Sequence, residues 1–236
     1  FWTPYGATEA IPVSHIATDE ILGDTHAKTL AGAGTCVGHL APGIEAAIIG
    51  IDDGPVSRLD RVEAGIVGEI VVAGAQVSPV YKDHPTATKA AKINVDGVVW
   101  HRMGDLGYFD DDGRLWFCGR KAHRLETSRG MIPAVCVEGV FNDHPQMART
   151  ALVGVGPLGS QTPVLVVEMK EGERFDGRLE SELVERAKGS KWEGVVARII
   201  VHTTFPTDAR HNSKIRRGDL ATRATAQCPD LARGAA

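Results

Sequence analysis

From Gly32 to Val99 the chain consists of short apolar runs, each cut within a few residues by Gly, Pro or Asp, a spacing that reads as strands. Ala46-Ala47-Ile48-Ile49-Gly50-Ile51 stops at Asp52-Asp53-Gly54-Pro55, Gly68-Glu69-Ile70-Val71-Val72-Ala73-Gly74 follows, and Gly97-Val98-Val99-Trp100 comes next. β-Branched side chains suit a pleated, half-buried surface. Turns recurring this often predict a small barrel or a twisted sheet. Leu106 to Phe117 carries aromatic residues on both sides of Asp112-Gly113, which is the strongest short-range hairpin signal in the chain.

After Gly119 the texture changes. Val137, Val140 and Phe141 have helical spacing in Val135–Asn142, which stops before His144-Pro145. Residues 149–154 and 163–170 read as strands, and residues 175–188 as a helix on Leu179, Leu183, Val184 and Ala187. A strand over residues 194–202 and a basic helix over residues 214–226 complete the pattern. This mixture describes a compact α+β domain. The boundary is predicted at Gly119-Arg120, dividing the chain into residues 1–20, a β-rich subdomain over 21–118, and an α+β domain over 119–236.

With 236 residues, 43% hydrophobic and 24% charged, the chain can bury a core of its own. A net charge of −4, with basic residues spread along the chain, argues against nucleic acid as a partner. Cys36, Cys118, Cys136 and Cys228 form no CxxC pair, which excludes a zinc ribbon and offers no disulfide framework. A reducing, cytoplasmic setting is therefore expected. No apolar run approaches the ~20 residues of a membrane span, and no charged-then-apolar leader opens the chain. It begins Phe1-Trp2-Thr3 without methionine, so a preceding portion is expected.

Three clusters carry candidate chemistry. In Tyr5-Gly6-Ala7-Thr8-Glu9 a glycine admits a close backbone approach, a hydroxyl can bond a phosphate oxygen, and a carboxylate can hold Mg²⁺. The plainer alternative is that Thr8-Glu9 starts a helix. In Arg102-Met103-Gly104-Asp105, an aspartate at a strand end can accept both hydroxyls of a ribose, or merely close the strand as an Asx turn. Arg120 could back the same ribose or a phosphate, or form a surface salt bridge. Lys214, in a loop before a basic helix, could neutralise charge on a carboxylate attacking an α-phosphate, although a Lys-Arg-Arg run is usually a solvated face.

In order and separation these clusters resemble the adenylate-forming superfamily of acyl-CoA synthetases, peptide-synthetase adenylation domains and luciferases. The matches are Tyr-Gly-x-Thr-Glu at 5–9, Gly-Glu-Ile at 68–70, Arg-x-Gly-Asp at 102–105, Gly-Arg at 119–120, the stretch from Pro133 to Glu138, and Lys214. The resemblance implies ATP and Mg²⁺ as cofactors. Tyr5 would lie against adenine, with Gly6 beside it, and Thr8 would meet the α-phosphate or the substrate carboxylate. Glu9 would ligate Mg²⁺, and Asp105 with Arg120 would hold the ribose. Lys214 would stabilise the adenylation transition state, carried by a mobile C-terminal domain that turns about a hinge at Lys121 and His123. Residues 1–20 would be a remnant of a large nucleotide-binding subdomain. The family's Gly/Ser/Thr-rich, Lys-containing phosphate loop is not in the chain, so the resemblance implies weak ATP binding and no turnover by this portion alone.

Departures from the family pattern narrow the expectation. Met103 stands where a threonine is usual, and His123 replaces the pivot aspartate of Gly-Arg-x-Lys-Asp. Cys136 replaces a glutamate. Arg129 occupies the place of a close-packed glycine beside the CoA thiol, with Gly130 one place late. An arginine there argues against a thioester-forming second step. The combination of Tyr-Gly-Ala-Thr-Glu-Ala at 5–10, Gly-Arg-Lys-x-His-Arg at 119–124 and Arg-His-Asn-Ser-Lys-Ile at 210–215 looks most like the β-lactone synthetases of bacterial long-chain olefin biosynthesis, in which the substrate's own β-hydroxyl attacks the acyl-adenylate and proximity supplies a high effective molarity. A fatty-acid-like acid is then the expected substrate, with association with other enzymes of the same pathway. Long-chain fatty acid–CoA ligation and a non-catalytic binding module are the alternatives. His15, His26, His39 and His84 lack metal-ligand spacing, whereas His211 beside the lysine loop merits testing. Asp110-Asp111-Asp112-Gly113 reads as a hairpin turn rather than a calcium loop.

Overall fold

The computed structural model describes residues 1–208 and 214–232. The chain divides into two compact units, one made of Phe1–Ala27 with Gly34–Ala122, the other of Lys28–Ala33 with His123–Ala236.

The first unit is built on β1 (Trp2–Ala7), β2 (Ala10–Ala17), β3 (Thr35–Leu40), β4 (Ile44–Ile49), β5 (Gly68–Gly74), β6 (Lys92–Val95), β7 (Val98–Phe109) and β8 (Leu115–Arg120). They form one antiparallel sheet in the order β1-β2-β3-β8-β7-β5-β4, with β6 also on β7. Among the described residues β1 and β4 remain separate edges, so the sheet is open rather than a closed barrel. A helical stretch follows β2 as α1 (Thr18–Glu20), a π turn (Ile21–Thr25) and α2 (His26–Leu30), and α3 (Pro85–Ala91) precedes β6.

The unbroken apolar run in β5 has a physical cause. Alternate side chains point to opposite faces of a strand. Ile70 and Val72 enter one core with Ile44, Ile48, Met103 and Leu115. Val71 and Ala73 enter a second with Ile49, Ile93 and Trp100. The strand is buried on both faces, so neither set can be polar. The predicted hairpin forms between β7 and β8, with Asp110 Oδ1 accepting from Asp112 N at 3.1 Å and Arg114 N at 2.8 Å, and Gly113 at φ +74°. That turn accounts for the acidic run without a calcium ion.

The second unit contains β9 (Leu125–Thr127), β10 (Gly130–Ile132), α4 (Ala134–Phe141), β11 (Met147–Val155), β12 (Thr162–Met169), α5 (Gly177–Ala187), β13 (Arg198–Val201), α6 (Arg217–Gln227) and α7 (Pro229–Ala232). β11 and β12 pair antiparallel, whereas β12 and β13 pair parallel, which requires a crossover that α5 provides. The Asp176 carboxylate caps α5 by accepting from Leu179 N at 2.9 Å. Leu179, Leu183 and Ala187 are buried along one stripe, while Val184, counted in that stripe from the sequence, is 55% exposed. The strand expected over 194–202 shrinks to four residues, and the basic helix starts at Arg217, leaving Lys214 outside it.

Residues 28–33 belong to this unit through Trp192, whose indole Nε1 donates to Gly32 O at 2.8 Å. Gly32 has φ +90°, and a Cβ there would stand 2.3 Å from the Trp192 ring. α6 covers one face of the sheet through Leu220 and Ala224, packed with Val153, Val155, Val164 and Val166. At its first turn Arg217 donates to Glu138 on α4, at 2.7 Å from Nη2 to Oε2 and more closely from Nη1 to Oε1. Glu138 Oε1 also accepts from Leu152 N at 2.6 Å. Burial pushes the Glu138 carboxyl up, with Arg217 opposing it. Removing one partner of a buried pair leaves an uncompensated charge. Arg217→Met is expected to cost about 3 kcal/mol of stability in urea unfolding monitored by Trp192 fluorescence, whereas a neutral outcome would show that Glu138 is satisfied without it.

Candidate functional site

β1 and β2 form a hairpin whose two-residue turn is Thr8-Glu9, with Ala7 paired to Ala10. The pair is therefore not a helix start. The register shifts between Tyr5 and Ala7, and a Cβ on Gly6 would meet Ala10 O at 2.5 Å. The close approach that this glycine permits is to the neighbouring strand. Thr8 is exposed at the turn.

From β1 the Tyr5 hydroxyl donates to Asp105 Oδ2 at 2.6 Å, and its ring lies 5.9 Å from that of Phe117. Burial and the facing carboxylate hold the Tyr5 phenol far above its ordinary pKa, so it remains a donor. Asp105 does not close a strand as the sequence suggested. It stands within β7, just past Gly104 at φ +66°. Across this stretch β5 and β7 lose step, because Glu69 pairs with Leu106 while Val71 pairs with Arg102. Such a bulge re-aims side chains, and glycine is required here for its backbone, since nothing lies within 4 Å of a Cβ placed on Gly104.

Asp105 pairs in register with Arg120 on β8, and their Oδ1 and Nη1 atoms are 3.0 Å apart. Nη1 donates to Met103 O at 3.2 Å. Asp105 Oδ1 is buried in this ion-pair contact without a directed hydrogen bond among the described residues. A buried acceptor left this way is costly. Burial raises the Asp105 carboxyl above its ordinary range, against the lowering effects of the Tyr5 hydroxyl and Arg120. The Arg120 side chain is half exposed.

Glu9 carries the second carboxylate. Its Oε1 accepts from the Tyr81 hydroxyl at 2.9 Å. Partial burial favours its neutral form, but its own amide and Tyr81 outweigh that and hold its pKa low. The same pairing pushes the Tyr81 phenol up to about 12, burial contributing most. His101 faces Lys92 across β6–β7, and burial then Lys92 depress its pKa. Among the described residues no group of three or more His, Cys, Asp or Glu could hold a metal. A Mg²⁺ ion that keeps its waters needs only one or two carboxylates beside substrate phosphates, and Glu9 meets that modest demand.

Two sequence matches have a packing role. Glu69 of Gly-Glu-Ile and Arg102 of Arg-x-Gly-Asp form a buried pair, at 2.6 Å from Nη2 to Oε2 and 3.2 Å from Nε to Oε1. Arg102 Nη1 also donates to Gly54 O at 2.6 Å and to Ala90 O at 3.1 Å. Lys121 joins them, 3.1 Å from Glu69 Oε2 and 2.6 Å from Asp52 O. Lys121 and His123 lie in one 3₁₀ turn and fall on either side of the division between units, three residues beyond the boundary read at Gly119-Arg120.

In the second unit, Ser128, Arg129 and Gly130 are exposed at the β9–β10 turn, with Gly130 at φ +115°. Cys136 is buried on α4. Lys214 is exposed, its carbonyl accepting from Asp208 N at 2.9 Å beside the Thr207–Ile215 bridge. His211 lies outside the described residues. Sequence reading missed Tyr81, whose contact with Glu9 spans 72 positions and leaves no local signal. No helix among the described residues is long and apolar enough to cross a membrane.

No family profile matches the chain. It is 49% identical over 235 residues to the olefin β-lactone synthetase of Stenotrophomonas maltophilia, covering 96% of this chain and 42% of that protein. Against the enzyme of the same name from Xanthomonas campestris the identity is 48%, over 96% of the chain and 42% of the relative. An indoleacetate–CoA ligase of Aromatoleum aromaticum is 31% identical across 77% of the chain and 32% of its own length. The chain thus spans well under half the length of the curated relatives it matches. Among solved structures, the amide bond synthetase McbA of Marinactinospora thermotolerans shares the fold with a TM-score of 0.72 at 24% identity, over 94% of this chain and 42% of that one. The O-succinylbenzoate coenzyme A synthetase of Bacillus subtilis, in complex with AMP, does so at 0.71 and 21% identity, over 93% and 40%. Matched along almost its whole length and carrying the same fold, the chain belongs to the adenylate-forming superfamily, alongside the olefin β-lactone synthetases.

Proposed function

We propose that the chain is the C-terminal part of an ATP-dependent enzyme that activates a 2-alkyl-3-hydroxy fatty acid as its acyl-adenylate and closes it to a β-lactone. The observation that carries the nucleotide assignment is Asp105, a buried carboxylate with one oxygen held by Tyr5 and the other lacking a directed donor. Two vicinal hydroxyls of a ribose supply the donors it lacks. Arg120 stands beside the same oxygen, where its half-exposed guanidinium can meet the sugar or a phosphate.

In the first step a substrate carboxylate oxygen attacks the α-phosphorus and pyrophosphate leaves. Thr8 is assigned to the α-phosphate or the carboxylate, and Tyr5 to the adenine side of the site. Lys214, exposed and cationic, is assigned to the charge that builds in this step. Mg²⁺ held by Glu9 would neutralise phosphate charge. In the second step the β-hydroxyl oxygen attacks the acyl carbonyl, releasing AMP and a proton. Arg129 at the β9–β10 turn supports this product over a thioester, because a long cation stands where the family keeps a glycine. The hinge role of Lys121 and His123 is part of the same proposal. So is association with other enzymes of the pathway.

A ligand-binding role for Asp105 has a measurable signature. Its raised pKa means the folded state binds the proton more tightly, so Asp105 subtracts stability as pH rises through its carboxyl range. Asp105→Asn is expected to raise the thermal midpoint at about pH 7, with the gain vanishing below about pH 4. The same change should weaken ATP binding by the full-length protein about 10-fold or more, since hydrogen bonds to a charged group are among the stronger ones. A substitution that destabilises at neutral pH and leaves ATP binding intact would make Asp105 a structural residue.

The reaction itself separates the alternatives. Full-length protein supplied with ATP, Mg²⁺ and a 2-alkyl-3-hydroxy acid is expected to yield the β-lactone without CoA. A CoA-dependent thioester would instead establish the ligase reading. Lys214→Ala should slow pyrophosphate release about 100-fold or more, as loss of a transition-state charge partner does; normal adenylation by that variant would favour a non-catalytic module. The chain spanning Phe1 to Ala236 is expected to release no pyrophosphate on its own.

A further inference from the structure

Glu9 sits half-buried in the β1–β2 turn and is held from two directions. Its backbone carbonyl accepts from Ser78 N at 2.8 Å, and its side-chain Oε1 accepts from the Tyr81 hydroxyl at 2.9 Å. No other side chain donates to this carboxylate among the described residues. Tyr81 is itself fixed. Its backbone N donates to Thr88 Oγ1 on α3 at 3.0 Å, and its carbonyl accepts from His84 N at 3.2 Å. Lys92 donates to Ser78 O and places its Nζ 5.5 Å from the Tyr81 ring centroid, while the His101 ring lies T-shaped to it with centroids 6.5 Å apart. The phenol is therefore clamped before any ligand arrives.

A carboxylate at a turn with nothing to orient it rotates freely and can offer a cation either or both oxygens. A donor fixed on one oxygen removes that freedom and leaves the other as a single ligand. Outer partners of this kind raise metal affinity by orienting the ligand rather than by touching the ion. We propose that Tyr81 is a positioning residue for Glu9, holding Oε1 so that Oε2 is presented to the divalent cation that accompanies ATP. The proposal rests on the reading of Glu9 as the metal ligand.

The test measures metal binding without turnover. Mn²⁺ is titrated into the full-length protein saturated with a β,γ-methylene ATP analogue, and free Mn²⁺ is read by electron paramagnetic resonance. Tyr81→Phe keeps the ring and removes only the hydroxyl, and it is expected to weaken Mn²⁺ binding about 10-fold. Glu9→Gln should weaken it at least as much, and the double variant should bind no more weakly than Glu9→Gln alone, because the hydroxyl then has no carboxylate to orient. Unchanged Mn²⁺ binding in Tyr81→Phe, with a lowered thermal midpoint, would reduce the contact to a structural one and overturn the proposal. Additive losses in the double variant would overturn it too. If Glu9→Gln itself leaves Mn²⁺ binding unchanged, the metal reading of Glu9 fails first and the proposal falls with it.

Discussion

The buried pair between Glu69 and Arg102 is the contact on which the geometry of the first unit turns. It joins β5 to β7 where their ladder loses step, a place where backbone pairing cannot hold the register by itself. Both side chains are almost wholly excluded from solvent. Such a pair gains little over a well-packed apolar substitute, but breaking it by removing one partner costs about 3–5 kcal/mol. Here its value is positional. Arg102 reaches on to the carbonyls of Asp52, Gly54 and Ala90, and Lys121 adds a second cation to Glu69. One carboxylate thereby ties two strands, a loop and the start of the inter-unit segment.

With the strands fixed on one side of the bulge, Gly104 can take a left-handed backbone and turn Asp105 toward Tyr5 and Arg120. The arrangement works against stability. A buried carboxyl with a raised pKa, one oxygen of which has an ion-pair contact but no directed hydrogen bond, is what folding alone would remove. Its cost becomes intelligible if a ligand supplies the missing donors. Glu9 shows the opposite balance, since its own amide and a fixed phenol favour the charged form. Two carboxylates in one unit are thus shifted in opposite directions, Asp105 toward its neutral form and Glu9 toward its charged form.

Much of the fold was legible because burial writes itself into local pattern. The Ile70–Ala73 run of β5 is apolar as it faces a core on each side, and the aromatic strands around Asp112-Gly113 fold back at a turn whose chemistry is local. The helices on Val137–Phe141 and Leu179–Ala187 follow from 3.6-residue spacing. Other elements left weaker traces. Thr8-Glu9 has the composition of a helix start, and only the pairing of Ala7 with Ala10 makes it a hairpin turn. Val184 keeps helical spacing with Leu183 and Ala187 but falls on the solvent side, because α5 needs only one stripe to cover its sheet.

By itself the sequence determined the strand-rich first part, the α+β second part and the set of residues that marks the adenylate-forming superfamily, since these rest on spacing along the chain. It also carried the departure at Arg129, on which the proposed preference for a lactone depends. Only the tertiary structure decided which of those residues act together. It separated Arg102 and Glu69, which form a buried pair, from Tyr5 and Asp105, which hydrogen-bond to each other from β1 and β7, although all four belong to recognisable motifs. It also joined Glu9 to Tyr81 across 72 positions. The physical reason is that local pattern records which face of an element is buried, whereas a hydrogen bond between distant strands depends on register, bulges and side-chain direction, and these exist only once the sheet has formed.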